Sequence, residues 1–320
     1  MSQVHGIHHV TAICGDAQEN LDFYRGVLGM RLVKRSVNQD APDTYHLFYA
    51  DAEGHPGTDM TFFPWPGMPP GRKGAGLTVE VGFAVPEGSL AFWAERLAAA
   101  GGGVAGRESR FGETALRLRD PHGLELALVE TAGPREFAPW DQSPVPERHQ
   151  VRGFHAVRLW EWNLAPTARF LAEALGFEPR GEEGGWHRFG VGGGGSGRWV
   201  EVRELPAERR GGWGVGTVHH VAFQVEDDAE QLAVRQQAAT AGAVPTPVID
   251  RFWFRSVYFK EPGGVLFELA TRGPGFTVDE DPAHLGEALI LPPWLEPRRR
   301  EIEAVLPPLR TGTPVAAAPE

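Results

Sequence analysis

The chain has 320 residues, of which 42% are hydrophobic, and this is enough to build two domains of ordinary size. Its formal net charge is −11 and its basic residues are scattered apart from residues 298–300, so no binding to nucleic acid is expected. A cytoplasmic protein outside the membrane is expected, because no apolar run approaches the roughly 20 residues of a membrane helix, the N-terminus lacks a signal-peptide pattern, and the single Cys14 excludes an intrachain disulfide.

One pattern recurs four times along the chain: an apolar strand, an amphipathic helix, and further strands separated by glycine-rich turns. The first strands open at residues 7, 79, 154 and 218, and the helices are expected over residues 21–28, 89–99, 166–175 and 230–241. Each predicted helix ends near a glycine suited to a left-handed cap: Gly29, Gly101, Gly176 and Gly242. The fold class predicted is therefore α+β, with four βαβββ modules.

The modules divide the chain into two halves. Residues 1–133 hold modules 1 and 2, and residues 151–272 hold modules 3 and 4, with a polar, proline-containing linker at 134–150. Residues 192–197 read as a flexible hairpin turn. Residues 273–320 form a C-terminal arm and tail, with an extra helix and an extended arm expected within 285–309 and disorder expected at 311–320.

Strand parity places three possible metal ligands on one concave surface. Side chains two residues apart share a face of a strand, so His9 on module 1 and His220 on module 4 both point inward while their apolar neighbours face the helices. On the last strand of module 4, Glu268 points inward between Phe267 and Leu269. Two imidazoles and one carboxylate with open positions are typical of non-haem iron(II) oxygenases.

This ligand set also predicts how the modules pair. A metal can join His9 to His220 and Glu268 only if modules 1 and 4 meet, which leaves modules 2 and 3 to form the other open barrel. The fourth corner of the first barrel is Thr61, a poor ligand, so the site keeps room for substrate and oxygen. A four-ligand isomerase site would need a carboxylate there.

Other inward residues are weaker candidates. Thr11, His46 and Gln224 face the predicted cavity and are expected to contact substrate, whereas His8 and His219 are expected to pack or to form hydrogen bonds behind the ligands. The second barrel offers four corner residues, Glu80, Ala127, His155 and Glu201. They suggest either a second metal site or a degenerate structural barrel, and the sequence favours the latter.

Several stretches between residue 6 and about residue 280 resemble the hydroquinone-type ring-cleaving dioxygenases of the vicinal oxygen chelate (glyoxalase-like) superfamily. Among them are Gly6-Ile7-His8-His9-Val10-Thr11, Gly54-His55-Pro56-Gly57-Thr58, Arg152-Gly153-Phe154-His155 and His219-His220-Val221-Ala222-Phe223.

The resemblance implies that His9, His220 and Glu268 bind iron(II), with manganese(II) as an alternative ion. It also implies that Tyr258 and Arg251 stand beside the substrate as catalytic residues. The expected partners are a hydroquinone or catechol and O₂, and a homo-oligomer is compatible with the sequence. Two alternatives stay open: a glyoxalase-type isomerase or lyase that uses another metal, and a non-catalytic resistance protein that sequesters small molecules.

Overall fold

Four βαβββ modules follow one another in the computed structural model, which describes residues 2–101, 103–133 and 136–312. Residues 134–135 of the predicted linker and 313–320 of the predicted disordered tail lie outside these described residues. Module 1 comprises β1 Ile7–Cys14, α1 Ala17–Leu21, β2 Arg31–Asn38, β3 Ala41–Ala50 and β4 Asp59–Pro64. Module 2 comprises β5 Leu77–Pro86, α2 Leu90–Ala99, β6 Gly103–Arg110, β7 Glu113–Arg119 and β8 Glu125–Thr131.

The second half of the chain repeats the arrangement. Module 3 comprises β9 Phe154–Glu161, α3 Leu164–Leu175, β10 Glu178–Glu183, β11 Trp186–Gly190 and β12 Trp199–Glu204. Module 4 comprises β13 Thr217–Val225, α4 Asp228–Thr240, β14 Ile249–Asp250, β15 Arg255–Lys260 and β16 Leu266–Thr271. The predicted fold class is confirmed, and the hairpin turn predicted at 192–197 joins the antiparallel strands β11 and β12.

Two eight-stranded sheets organise the modules, and the predicted pairing is confirmed. One sheet has the strand order β14-β15-β16-β13-β1-β4-β3-β2 and joins modules 4 and 1, while the other has the order β10-β11-β12-β9-β5-β8-β7-β6 and joins modules 3 and 2. The seams are the antiparallel pairs β1 with β13 and β5 with β9. We call the sheet of modules 1 and 4 the first barrel and the sheet of modules 2 and 3 the second barrel.

The outer faces of the strands pack against the helices as parity requires. Val10, Val221, Phe223, Phe267 and Leu269 are completely buried and belong to one apolar core that also contains residues of the helices. This burial fixes the register, because a slip of one residue would turn every inward polar side chain toward the core.

Helix boundaries differ from the sequence prediction by more than two residues at two places. The first helix begins at Ala17 rather than residue 21, because the Asp16 side chain accepts hydrogen bonds from the first backbone N–H groups, and it continues as a π-helix over Asp22–Val27. The extra helix expected within 285–309 is limited to Arg299–Val305. Pro292, Pro293 and Pro297 precede it, and a proline is tolerated only in the first turn of a helix.

The glycines predicted to cap the helices all adopt the conformation that a left-handed cap requires. Gly29, Gly101, Gly176 and Gly242 have φ of 72°, 70°, 80° and 97°. Within the described residues, no helix has the length and apolar character needed to span a bilayer.

Candidate metal centre

Three buried side chains from three adjacent strands converge on the concave face of the first barrel. His9 on β1, His220 on β13 and Glu268 on β16 each offer a ligand atom, and these atoms all lie within 4.8 Å of one another. The Nε2 atoms of the two histidines are 3.2 Å apart, and a Glu268 oxygen lies 2.9 Å from His220 Nε2 and 3.2 Å from His9 Nε2. The three residues predicted to converge are therefore brought together.

The electrostatics of the cluster suit a bound cation. Burial would raise the pKa of Glu268, but the neighbouring His9 and His220 hold it well below its usual range, so the carboxylate is ionised. Neither carboxylate oxygen accepts a hydrogen bond of good geometry within the described residues, although the side chain is fully buried. A buried carboxylate without a donor, beside two imidazole nitrogens, is a donor set that fits a divalent metal ion.

A second histidine stands behind each of these imidazoles, as the sequence suggested. His8 Nδ1 lies 2.9 Å from His9 Nδ1, and His219 Nδ1 lies 2.8 Å from His220 Nδ1. Burial, together with the adjacent histidine, lowers the pKa of both His8 and His219 to about 3, so each is neutral. The Nδ1 of each can then accept a hydrogen bond from the Nδ1–H of His9 or His220. That arrangement directs Nε2 of His9 and His220 toward the centre of the site. Burial lowers the pKa of His9 but Glu268 raises it by more, so a metal ion would displace a proton from this Nε2.

A cavity of about 390 Å³, including its open mouth, lies beside the cluster. Its walls are largely aromatic, and its rim is polar. The side chains that line it, besides His9 and His220, are Asn38, Gln39, Asp40, His46, Phe48, Phe63, Arg251, Trp253, Phe254 and Tyr258. A concave, mostly apolar pocket with a few convergent polar groups is the usual form of a small-molecule site.

Tyr258 and Arg251, predicted from the family resemblance, both reach this cavity. Tyr258 on β15 is the register partner of Glu268, and its ring centroid lies 5.6 Å from that of His220. Burial and the charge of Glu268 raise the pKa of Tyr258, so its hydroxyl stays protonated at neutral pH. The Arg251 guanidinium lies 5.5 Å from the centroid of the Tyr258 ring.

Sequence reasoning did not identify Asp40, at the tip of the β2–β3 hairpin. Its carboxylate pairs with both terminal nitrogens of Arg251, at 2.8 and 3.2 Å, and Gln39 donates to the Arg251 carbonyl at 2.9 Å. The hairpin tip of module 1 therefore touches the Arg251 loop of module 4 across the mouth of the cavity. The polar run at residues 38–40 was the available signal, but strand parity does not say what a turn contacts.

Of the three remaining residues predicted to contact substrate, one lines the cavity and two do not. His46 lines the cavity, and its Nε2 is 2.9 Å from the Thr61 hydroxyl. Thr11 lies outside the lining, hydrogen-bonded to Thr61 at 2.7 Å and close to His220 Nε2 at 2.9 Å. Gln224 also lies outside the lining, near the end of β13, where its backbone pairs with His5 and Gly6.

The corners of the second barrel carry ion pairs instead of a ligand cluster. Glu201 bonds Arg158 and Arg188, each at 2.6 Å, and Glu80 bonds Arg110 at 2.6 Å. The prediction that His155 occupies the corner equivalent to His220 is wrong: a register shift in the β5–β9 seam places Ala156 there, and His155 contacts Glu113 instead. In the part of the chain that the structure describes, the three residues of the first barrel form the one group with metal-ligand spacing.

Both halves of the chain match one known protein family. The model of the Glyoxalase/Bleomycin resistance protein/Dioxygenase superfamily matches residues 6–128 and 153–269. MhqO of Bacillus subtilis, named as a candidate ring-cleaving dioxygenase, is 43% identical over 95% of this chain and 96% of that protein. A chlorohydroquinone/hydroquinone 1,2-dioxygenase of Sphingobium indicum is 35% identical over 94% of this chain and 95% of that protein.

Solved structures agree on the fold. A crystal structure of a candidate dioxygenase from Bacillus subtilis superposes with a TM-score of 0.91 at 40% identity and covers 97% of this chain and 99% of that chain. Glyoxalase I of Zea mays superposes with a TM-score of 0.62 at 16% identity, over 83% of this chain and 92% of that chain. The second match is a likeness of fold alone.

Proposed function

The chain belongs to the Glyoxalase/Bleomycin resistance protein/Dioxygenase superfamily, and from that premise we propose that it is an iron(II)-dependent dioxygenase that opens the ring of a hydroquinone. The observation that carries the proposal is the buried cluster of His9, His220 and Glu268 at the floor of an aromatic cavity. Relatives similar over nearly the whole chain are named as ring-cleaving or hydroquinone dioxygenases, which supports an oxygenase and this substrate class.

His9, His220 and Glu268 would hold the metal ion, with manganese(II) as an alternative to iron(II). When bound, such an ion would act as a Lewis acid toward an ionised ring hydroxyl and would pass electrons to O₂. The buried carboxylate and the Nε2 atoms meet this need because all three face one point and their other sides are occupied by protein.

The other side chains of the cavity bind and orient the ring. Phe48, Phe63, Trp253 and Phe254 exclude water and offer flat apolar walls to a single aromatic ring. The Tyr258 hydroxyl, protonated at neutral pH, is placed to donate a proton to an oxygen that develops negative charge. The Arg251 guanidinium, beside Tyr258, stabilises such charge electrostatically.

A four-ligand isomerase fits this cavity less well. The fourth corner of the first barrel is Thr61, and its hydroxyl is already engaged by Thr11 at 2.7 Å and by His46 at 2.9 Å. A hydroxyl held in this way has no carboxylate charge to offer to a metal ion or to a substrate proton.

The decisive experiment is oxygen uptake by the full chain after metal removal and reconstitution. We expect hydroquinone to consume one O₂ per ring and to lose its aromatic absorbance with iron(II), and not with zinc or nickel. The Glu268→Gln variant, which keeps the side-chain shape, should retain the fold and lose both iron and oxygen uptake.

Two results would contradict the proposal. One is turnover of a hemithioacetal with zinc or nickel and without oxygen, which would establish the isomerase. The other is binding of hydroquinone to the iron-loaded protein without consumption of O₂, which would identify a sequestering protein. Faster cleavage of catechol than of hydroquinone would retain the dioxygenase and correct its substrate.

A further inference from the structure

The second barrel contains a cavity of its own, although it lacks a metal-ligand cluster. The cavity encloses about 450 Å³, including its open side, and Trp160 on β9 and Trp186 on β11 form two of its walls. Glu80, at the corner that corresponds to His9 of the first barrel, also lines it. The cavity therefore adjoins, in the second barrel, a corner that matches the metal centre of the first.

The lining carries more positive than negative charge. Lys73, Arg117, Arg158 and Arg203 face two carboxylates, those of Glu80 and Glu108. Arg158 is held by Glu201 at 2.6 Å and by Glu108 at 3.0 Å, so its own charge is neutralised. The other three cations decide the character of the cavity.

Of those three cations, only Arg203 has no acidic partner within the described residues. Its side chain forms no ion pair and no hydrogen bond there. Lys73 lies 3.9 Å from the Glu125 carboxylate, a long ion pair. Arg117 is shared by three carboxylates, those of Glu125, Glu108 and Glu80, at 3.6, 3.7 and 3.9 Å. A half-buried guanidinium without a carboxylate retains its fork of donors, and that geometry suits a carboxylate group bound through both oxygens.

The tryptophans add flat apolar walls. The Arg203 guanidinium lies 5.8 Å from the centroid of the Trp186 ring, and the Lys73 ammonium lies 4.6 Å from that of Trp160. The indole N–H of Trp160 has no hydrogen-bond partner within the described residues. Flat rings beside the unpaired Arg203 guanidinium favour a ligand that is planar at one end and anionic at the other.

We propose that this cavity binds a small planar monocarboxylate, with the carboxylate on Arg203 and Lys73 and the conjugated plane against the tryptophans. A single unpaired guanidinium in the lining matches one negative charge, which argues against a phosphate or a dicarboxylate. The shared chemistry is met by an aromatic acid and by an open-chain dienoic acid, so both are tested. The inference does not depend on ring cleavage in the first barrel.

The test is calorimetric titration of the full chain with benzoate and, separately, with sorbate. At least one is expected to bind with a dissociation constant of about 1 mM or lower. Arg203→Gln should weaken that binding about tenfold or more, because a charge-assisted hydrogen bond is lost. Arg169→Gln is the matched control: it removes the same charge from the exposed outer face of α3 and should leave binding unchanged.

A carboxylate could also bind to Arg251 in the cavity of the first barrel, so the Arg251→Gln variant is titrated in parallel. Loss of binding in Arg251→Gln but not in Arg203→Gln would overturn the proposal, as would equal affinity for the neutral benzyl alcohol. Absence of binding by both acids would also overturn it. If Arg203→Gln folds poorly, NMR titration of the wild-type chain takes its place. The indole N–H resonance of Trp160, assigned by its absence in Trp160→Phe, must then shift when the acid is added. An unmoved resonance would refute the site.

Discussion

Replacing Tyr258 by phenylalanine removes one oxygen atom from the wall of the metal cavity and nothing else. The ring stays on β15, opposite Glu268, with its centroid 5.6 Å from that of His220. Because burial and the Glu268 charge raise the pKa of Tyr258, the hydroxyl is protonated at neutral pH and acts as a donor. The variant therefore isolates proton donation from packing.

We expect turnover of hydroquinone to fall roughly 100- to 10,000-fold, the usual contribution of a positioned proton donor. This corresponds to about 3–5 kcal/mol of transition-state stabilisation. The free energy of unfolding should change by only about 1 kcal/mol, and iron content should be unchanged. The assays are oxygen uptake, metal analysis and urea unfolding on the same preparation.

Tyr45→Phe is the matched control, since Tyr45 is buried on β3 and its hydroxyl donates to the Pro307 carbonyl at 2.9 Å, outside the cavity. It should lose similar stability and keep full activity. A Tyr258→Phe enzyme with a normal rate would reduce Tyr258 to a wall residue. Equal losses of activity in both variants would show that the assay reports stability rather than chemistry.

Three further outcomes are expected. Adding iron(II) at about 100 times its dissociation constant should raise the free energy of unfolding of the metal-free protein by about 2.7 kcal/mol, measured by thermal unfolding. The Glu268→Gln variant should gain no stability from iron(II). An equal gain in the variant would place the metal elsewhere. Glu161 is buried beside Glu261, and burial and that neighbour raise its pKa to about 9. The stability that the protonated Glu161 contributes is complete below its ordinary pKa near 4.5 and is lost as the pH rises toward 9, by up to about 1.4 kcal/mol per pH unit. The free energy of unfolding in urea, measured at pH 6 and at pH 9, should show this loss. The Glu161→Gln variant should show a smaller dependence on pH. Lys34 is completely buried and pairs with Asp279 and Glu280 of the C-terminal arm. Lys34→Met should lower the free energy of unfolding by about 3–5 kcal/mol, because it leaves both carboxylates unpaired. A change below about 1 kcal/mol would show that the arm detaches at little cost.

The convergence of the metal centre could be predicted because strand parity is a strong constraint. Val10 and Val221 must be buried against the helices, so the neighbouring His9 and His220 must face the concave side. The pairing of modules 1 and 4 followed from the requirement that these histidines meet Glu268, and the β1–β13 seam confirms it. Binding of a metal by the three residues stays a prediction.

Contacts made by turns could not be predicted in this way. The Asp40–Arg251 pair joins residues 211 positions apart, from a hairpin tip and from a loop, where no period links side-chain direction to sequence. Parity likewise placed Gln224 on the concave side without showing that the cavity ends before it. The start of the first helix was missed because the capping oxygen of Asp16 outweighed the apolar pattern on which the prediction relied.

Glu201 and Glu268 show why a corner carboxylate alone does not predict a metal. Both are completely buried on the last strand of their module. The guanidinium groups of Arg158 and Arg188 each lie 2.6 Å from Glu201 and neutralise it without an ion. Glu268 has only imidazoles beside it, and these, unlike guanidinium groups, can release a proton and bind a metal ion, which would then balance the carboxylate. The partner on the neighbouring strand, arginine or histidine, therefore decides whether this corner of the fold is structural or ligating.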